Sequence, residues 1–249
     1  MRTPRGPLIA ALFSTLISLL TGCMGHPPRT ASVQGLDIGA GEIHLDPGAS
    51  PKLLVVQVLE SRAARTDDTV QSAATMRIVP LAPDERDLLT ARLGTPSGVA
   101  VEVAMPASFP GPDITGQSLA ARARERGCRW LLISSVDTVP SAWSSMALVS
   151  MLTIGILPFN VGCTGIAQAA LYDLQSGTRL DQWSFDDPGW QVANFYTYGP
   201  AQSQMADRAN HRMMRRIGKG AAVTMAAIEP KFKASVAAAK VRIDGWGEE

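Results

Sequence analysis

The chain has 249 residues, 46% of them hydrophobic and 18% charged, with 23 basic side chains against 22 acidic ones and a formal net charge of +1. That composition is enough to build a globular core, and the balanced charge provides no field favouring nucleic acid or another polyanion as partner. Three cysteines are too few for a disulfide scaffold, and they form no paired Cys-x-x-Cys cluster of the kind that holds zinc.

Residues 1–22 read as an export signal. Arg2 and Arg5 make a short basic region, residues 8–20 are an apolar run, and Thr21 and Gly22 lead into Cys23. The run is shorter than the ~20 apolar residues that a membrane-spanning helix needs, so cleavage is expected rather than permanent anchoring by this helix. Cys23 closes the signal, and a thiolate is the best side-chain nucleophile for a covalent attachment there. The alternative is a plain secretory signal with a chance cysteine. Residues 23–51 are rich in Gly, Pro, Ser and His without apolar periodicity, which predicts a flexible tether. His26 and His44 are expected to be solvated side chains of that tether rather than metal ligands. Gly39, Ala40 and Gly41 do not form a dinucleotide loop, since no strand precedes them and His44 stands where a third glycine belongs.

An α/β periplasmic domain is expected over residues 52–236, followed by a tail at 237–249. Residues 53–59 are a continuous apolar run suited to a buried strand, and Val99, Val101 and Val103 alternate as in a half-exposed one. Between them, residues 83–93 read as a helix with Pro83 in the first turn and Gly94 past the end. A second helix is predicted over 114–126, capped by Asp113 or Thr115 and stopped by Gly127, with a buried strand at 130–136 after it. Residues 166–173 and 179–185 flank Gln175, Ser176 and Gly177, a hairpin signal. The last element runs over about 202–228, with Met205, Ala209, Met213, Ile217, Ala221 and Ile228 on one face and Pro230 interrupting it. The fold class is therefore α/β: a mixed sheet with helices, a C-terminal β-hairpin and a long closing helix.

Leu20, Thr21, Gly22 and Cys23 resemble the lipobox of bacterial lipoproteins at all four positions. The resemblance implies cleavage before Cys23 and acylation of its thiol, palmitate being the common chain. At ~0.8 kcal/mol per buried methylene, two or three acyl chains hold a protein on a membrane essentially permanently. Met24, standing where an aspartate favours inner-membrane retention, implies by the same resemblance the outer membrane with the domain facing the periplasm. Residues 119–136, a helix ending in Arg126, Gly127 and Cys128 and running into Trp130, Leu131, Leu132 and Ile133, are similar to the central helix and strand of the TolB amino-terminal domain and the curli-secretion lipoprotein. That likeness covers about half of the domain and bears on fold, not activity. The chain also resembles uncharacterised lipoproteins that place an apolar insertion between that strand and the hairpin.

Four features invite a functional reading. No charged residue occurs between Asp137 and Asp173, and Trp143, Met146, Leu148, Met151, Leu152, Ile154, Ile156, Leu157 and Phe159 make an apolar stretch. It reads as a buried element closing the core, a partner contact or a membrane contact. Trp183, Trp190, Phe195, Tyr196 and Tyr198, together with Phe185, form an aromatic loop suited to contact or to core packing. Asp186 and Asp187 before Pro188 are expected to make a turn rather than an acid–base pair. Arg208, Arg212, Arg215 and Lys219 fall on one helix stripe that either meets lipid phosphates or faces solvent. Cys128 and Cys163 are expected to be small buried side chains. Export permits them a disulfide, but antiparallel neighbours would hold them ~20 Å apart at ~3.3 Å per residue.

The sequence has no Gly-x-Ser-x-Gly elbow or His-Glu-x-x-His, and Gly218, Lys219 and Gly220 lie inside a predicted helix rather than a phosphate loop. His211 is the only histidine of the expected domain. No catalytic residue, metal or cofactor is expected. The reading is a membrane-anchored, non-enzymatic binding or assembly factor of the envelope, whose partners are membrane lipid through acylated Cys23 and an envelope protein or a second copy of itself. The alternatives are a subunit of a homo-oligomeric export assembly and a cell-wall or lipid hydrolase.

Overall fold

Leu53, Leu54, Val55, Val56 and Val58 leave strand β1 (Lys52–Glu60) without a polar face, so it has to be covered on both sides, and all five are fully buried. A strand has two edges, and β1 uses both. Strand β4 (Cys128–Ser141) takes one in parallel, with Leu53 opposite Trp130 and Val56 opposite Ile133. The other edge is shared: β3 (Ala100–Val103) runs parallel to the start of β1, and β2 (Met76–Ile78) runs antiparallel to its end. Strand β5 (Phe159–Asp173) pairs antiparallel with β4, and β6 (Arg179–Ala193) pairs antiparallel with β5 at the outer edge. The result is a six-stranded mixed sheet. The computed structural model describes residues 30–43, 51–60, 76–97, 99–109, 114–141, 156–194 and 196–244.

Among the described residues three α-helices complete the α/β domain: α1 (Pro83–Ser97), α2 (Gly116–Glu125) and α3 (Tyr198–Asp244). On one face of the sheet Leu119, Ala120 and Ala123 of α2 pack on Leu54, Val56, Leu131, Ile133 and Tyr172. On the other, Leu89 and Leu93 of α1 and Met213, Met214, Ile217, Ala221 and Met225 of α3 cover Leu53, Val55, Trp130, Leu132 and Leu171. Burying one Leu, Ile or Met fully contributes roughly 1.5–3 kcal/mol, so these two layers dominate stability. A third cluster of Phe159, Val161, Cys163, Ala193, Ala201 and Met205 closes the far end between the β5–β6 pair and the first turns of α3.

Several expected boundaries move. The α1 helix continues through Gly94 to Ser97, and α3 runs through Pro230 as one 47-residue helix rather than being interrupted there. Helix α2 starts at Gly116, two residues later than expected, with Thr115, one of the two expected caps, at its N-cap: the Thr115 hydroxyl accepts the Ser118 N–H while Ser118 Oγ accepts the Thr115 N–H, a capping box. Gly127 then supplies the left-handed backbone, at φ +71°, that turns the chain into β4. The hairpin arms are 15 residues each, longer than expected, and Asp186, Asp187 and Pro188 lie within β6 rather than in a turn. Pro188 is tolerated because β6 is the edge strand among the described residues, the place in a sheet where proline is accommodated.

The largest correction concerns the flexible tether expected over 23–51. Its described part, residues 30–43, is packed: Ala31, Val33 and Ile38 are at most 3% exposed and join the core beside α2. The Ala31 N–H donates to Ser135 Oγ at 2.9 Å, and Tyr172 Oη donates to the Val33 carbonyl at 2.6 Å. Arg179 bonds the Gln34 carbonyl, Arg124 bonds the carbonyls of Ile38 and Gly39, and the Gly41 N–H reaches the Gln175 carbonyl. This strap crosses the β5–β6 turn so closely that a Cβ on Gly177 would stand 2.6 Å from the Gly39 backbone.

Candidate functional site

The carboxyl ends of the parallel pair β1 and β4, the start of α1 and the first third of α3 enclose a cleft of about 560 Å³. Gln57, Val136 and Thr138 reach it from the sheet, Asp84 and Glu85 from α1, and Asp207, Asn210 and His211 from α3. Parallel strands expose their carboxyl ends at such crevices, which is where open α/β sheets bind ligands. Glu85 is only 9% exposed and accepts the Ala82 N–H at 3.2 Å. Burial pushes its carboxyl pKa up, with Asp84 and Asp207 adding to the shift while the Ala82 bond and His211 oppose it. His211 Nδ1 lies 3.5 Å from Asp84 Oδ2, and Asn210 Oδ1 is buried without a hydrogen-bond partner. The lining suits a cationic or hydrogen-bond-donating group better than an anion. Among the described residues no His, Cys, Asp and Glu form a group able to hold a metal. Sequence reading missed this cleft because its residues come from four elements far apart in the chain.

The aromatic loop does not exist as one surface. Trp183 and Phe185 lie on the side of β6 that faces α3 and pack at the edge of the core, and Trp183 touches α3 so closely that a Cβ on Gly220 would stand 2.6 Å from its Nε1. Trp190 lies on the opposite side of β6 and is 74% exposed, and Tyr196 is 67% exposed beyond the strand end. Tyr198 packs in the third cluster, its ring centroid 6.1 Å from that of Phe159. Phe195 lies outside the described residues, as do Cys23, His26, His44, Trp143, Met146, Leu148, Met151, Leu152 and Ile154. Of the apolar stretch, Ile156 and Leu157 are exposed at 66% and 38%, whereas Phe159, expected as a contact residue, is 4% exposed and belongs to the core. Its alternation with Val161 and Cys163 on the α3 side of β5 is what buries it.

The basic stripe is partly committed. Arg212 bonds Asp187 of β6, and Arg216 lies 3.9 Å from the same carboxylate. Asp187 is thus a structural ion-pair partner rather than half of an acid–base pair. Cys128 and Cys163 are buried and free. Cys163 stands opposite Pro140, twelve residues along β4 from Cys128, about 40 Å at ~3.3 Å per residue and farther than expected. Desolvation pushes the Cys128 thiol up to about 11 and also raises Cys163.

No family model matches the chain, and no curated protein matches it. Solved structures do. A hypothetical protein of Chlamydia trachomatis is 12% identical with a TM-score of 0.35, covering 72% of this chain and 99% of that one. The PelC dodecamer of Paraburkholderia phytofirmans is 13% identical at TM-score 0.30, over 68% of this chain and 85% of that one. A lipoprotein of Neisseria meningitidis is 15% identical, again at 0.30, over 64% and 96%. Lipoproteins are thus among the structures similar to this chain, at a level of similarity that assigns no activity.

Proposed function

We propose that the chain is a lipid-anchored protein of the bacterial envelope that acts by binding another envelope component rather than by catalysis. The anchoring rests on Leu20, Thr21, Gly22 and Cys23, with Cys23 as the acylated residue. Met24 supports the outer membrane, with the domain facing the periplasm. What supports binding is the cleft at the carboxyl ends of β1 and β4, whose volume of about 560 Å³ falls in the range of ligand sites, ~300–1,000 Å³. The component that enters it presents a basic or donor-rich group to Asp84, Glu85 and Asp207.

Metabolic labelling with an alkynyl fatty acid tests the anchor. The wild-type chain takes up label and fractionates with membranes, while Cys23→Ala takes up none and is soluble; an unlabelled wild-type chain refutes the reading. A photo-crosslinking residue at position 207, on the cleft rim, is expected to give one discrete adduct in intact cells, and its absence would sink the binding role.

A second reading, a subunit of a homo-oligomeric assembly, draws on the outer edge of β6, which pairs with no strand among the described residues. A single large species on sizing in detergent would favour the assembly, and a monomer excludes it.

A further inference from the structure

The strap has a direction. Ala31 lies against Ser135, Val33 against Tyr172, Gln34 against Arg179 and Gly41 against Gln175. In the register of the sheet Ser135 pairs with Gln168, and Leu131 with Tyr172, so the strap runs from the middle of β4 toward the β5–β6 turn. Followed upstream, it points to the opposite end, where Ser141 pairs with Gly162 and Gly162 with Trp190. Residues on the Ser135 side of β4 face the same way as Gln168 and Gly162 of β5 and as Ser184, Trp190 and Val192 of β6, because each pair sits an even number of residues from the last. Strap entrance and Trp190 therefore share one face of the sheet.

Among the described residues that end carries exposed apolar side chains: Trp190 is 74% exposed, Ile156 66%, Val192 54% and Tyr196 67%. Arg208 and Arg212 border Trp190 along the β6–α3 edge. From Ser135 to the Trp190 level is six residues along the strand, about 20 Å, and two strand spacings across, about 10 Å, hence ~22 Å in all. Between Cys23 and Thr30 there are seven residue steps, which span at most ~25 Å at ~3.6 Å each. Seven steps therefore suffice for an acyl group on Cys23 to reach this end of the domain, toward which the strap points upstream, on this face.

We propose that the Trp190 end of the sheet lies on the bilayer that holds Cys23, with Trp190, Val192 and Ile156 at the level of the headgroups and Arg208 beside lipid phosphates. The inference rests on acylation of Cys23 and adds which surface meets the lipid. Indole is suited to that depth, having an apolar body and one N–H donor. Cations beside an anionic leaflet add attraction that salt screens.

The test uses the acylated full chain in phosphatidylethanolamine–phosphatidylglycerol vesicles. Flotation comes first, and a wild-type chain that does not float defeats both the anchor and this proposal. For floating protein, tryptophan emission is quenched by lipids brominated near the headgroup end of their acyl chains. Trp190→Phe is expected to remove more than half of the quenching, while Trp143→Phe leaves most of it. Quenching unchanged by Trp190→Phe overturns the orientation, as does quenching lost only in Trp143→Phe, which would give the contact to the apolar stretch. A second copy as occupant would appear as a Val192→Cys disulfide dimer at the monomer's dilution on vesicles, and that too overturns it.

Discussion

If the strap is clamped over the β5–β6 turn, two glycines with the same backbone conformation have unequal tolerance for a methyl group. Gly39 and Gly177 have φ +63° and +70°, so alanine at either position meets the same left-handed strain, about 1 kcal/mol. A Cβ at Gly39 has nothing within 4 Å, whereas one at Gly177 stands 2.6 Å from the carbonyl carbon and oxygen of Gly39. Those are backbone atoms, so relief requires the strap to lift, which withdraws Val33 and Ile38 from the core. Partial loss of one such side chain costs about 2 kcal/mol. Gly39→Ala is therefore expected to cost about 1 kcal/mol and Gly177→Ala about 3 kcal/mol. At roughly 2–4 °C per kcal/mol for a domain of this size, the midpoints fall by about 3 °C and about 9 °C. Thermal denaturation followed by circular dichroism reads both, and hydrogen exchange at the Ala31 amide reports whether the strap has lifted. Equal midpoints for the two variants, with Ala31 still protected in Gly177→Ala, would refute the clamp.

Glu85→Gln keeps an acceptor for the Ala82 N–H but removes a carboxyl whose folded pKa is raised above its ordinary 4.5 by burial. As pH rises through that window the unfolded carboxyl ionises while the folded one resists, so the wild type loses stability toward neutral pH. The variant should be the more stable of the two at pH 7 and gain nothing at pH 3; a variant less stable at pH 7 would contradict the assignment. Tyr172→Phe leaves the buried Val33 carbonyl without its 2.6 Å bond and should cost about 1–3 kcal/mol in urea denaturation; a change under about 0.5 kcal/mol would show that water replaces the hydroxyl. In Cys23→Ala protein, iodoacetamide at pH 7.5, well below the Cys128 thiol pKa of about 11, should leave Cys128 and Cys163 untouched while folded. Both should be alkylated in guanidinium without reductant; no alkylation there would reveal a disulfide.

Much of the fold was legible where burial follows a local period. The unbroken apolar run of β1 announces a strand covered on both faces, and the spaced methionines of α3 announce a helix with one buried side. The β5–β6 turn was legible from Gln175, Ser176 and Gly177. The misreadings came where tertiary position overrides local preference. Asp186, Asp187 and Pro188 favour a turn in isolation, yet Arg212 and Arg216 hold Asp187 against α3 and the edge position excuses the proline. The strap was illegible for a different reason: Val33 and Ile38 have no period to display, since an irregular segment is buried by what it meets rather than by its own repeat. The cleft shares that difficulty, its acidic residues being brought together only by α1 and α3 crossing the ends of β1 and β4.

The strap also sets an order of events. Its partners Ser135, Tyr172 and Arg179 lie 104, 139 and 145 residues downstream of Ala31, Val33 and Gln34. Contacts so distant in sequence form late, after the nearer ones have closed their loops. The strap, first of the described segments in the chain, is thus the last of them to find its place. Until then Ala31, Val33 and Ile38, and the surface beside α2 that they cover, stay exposed, so any event that needs this segment extended has to precede docking of the strap.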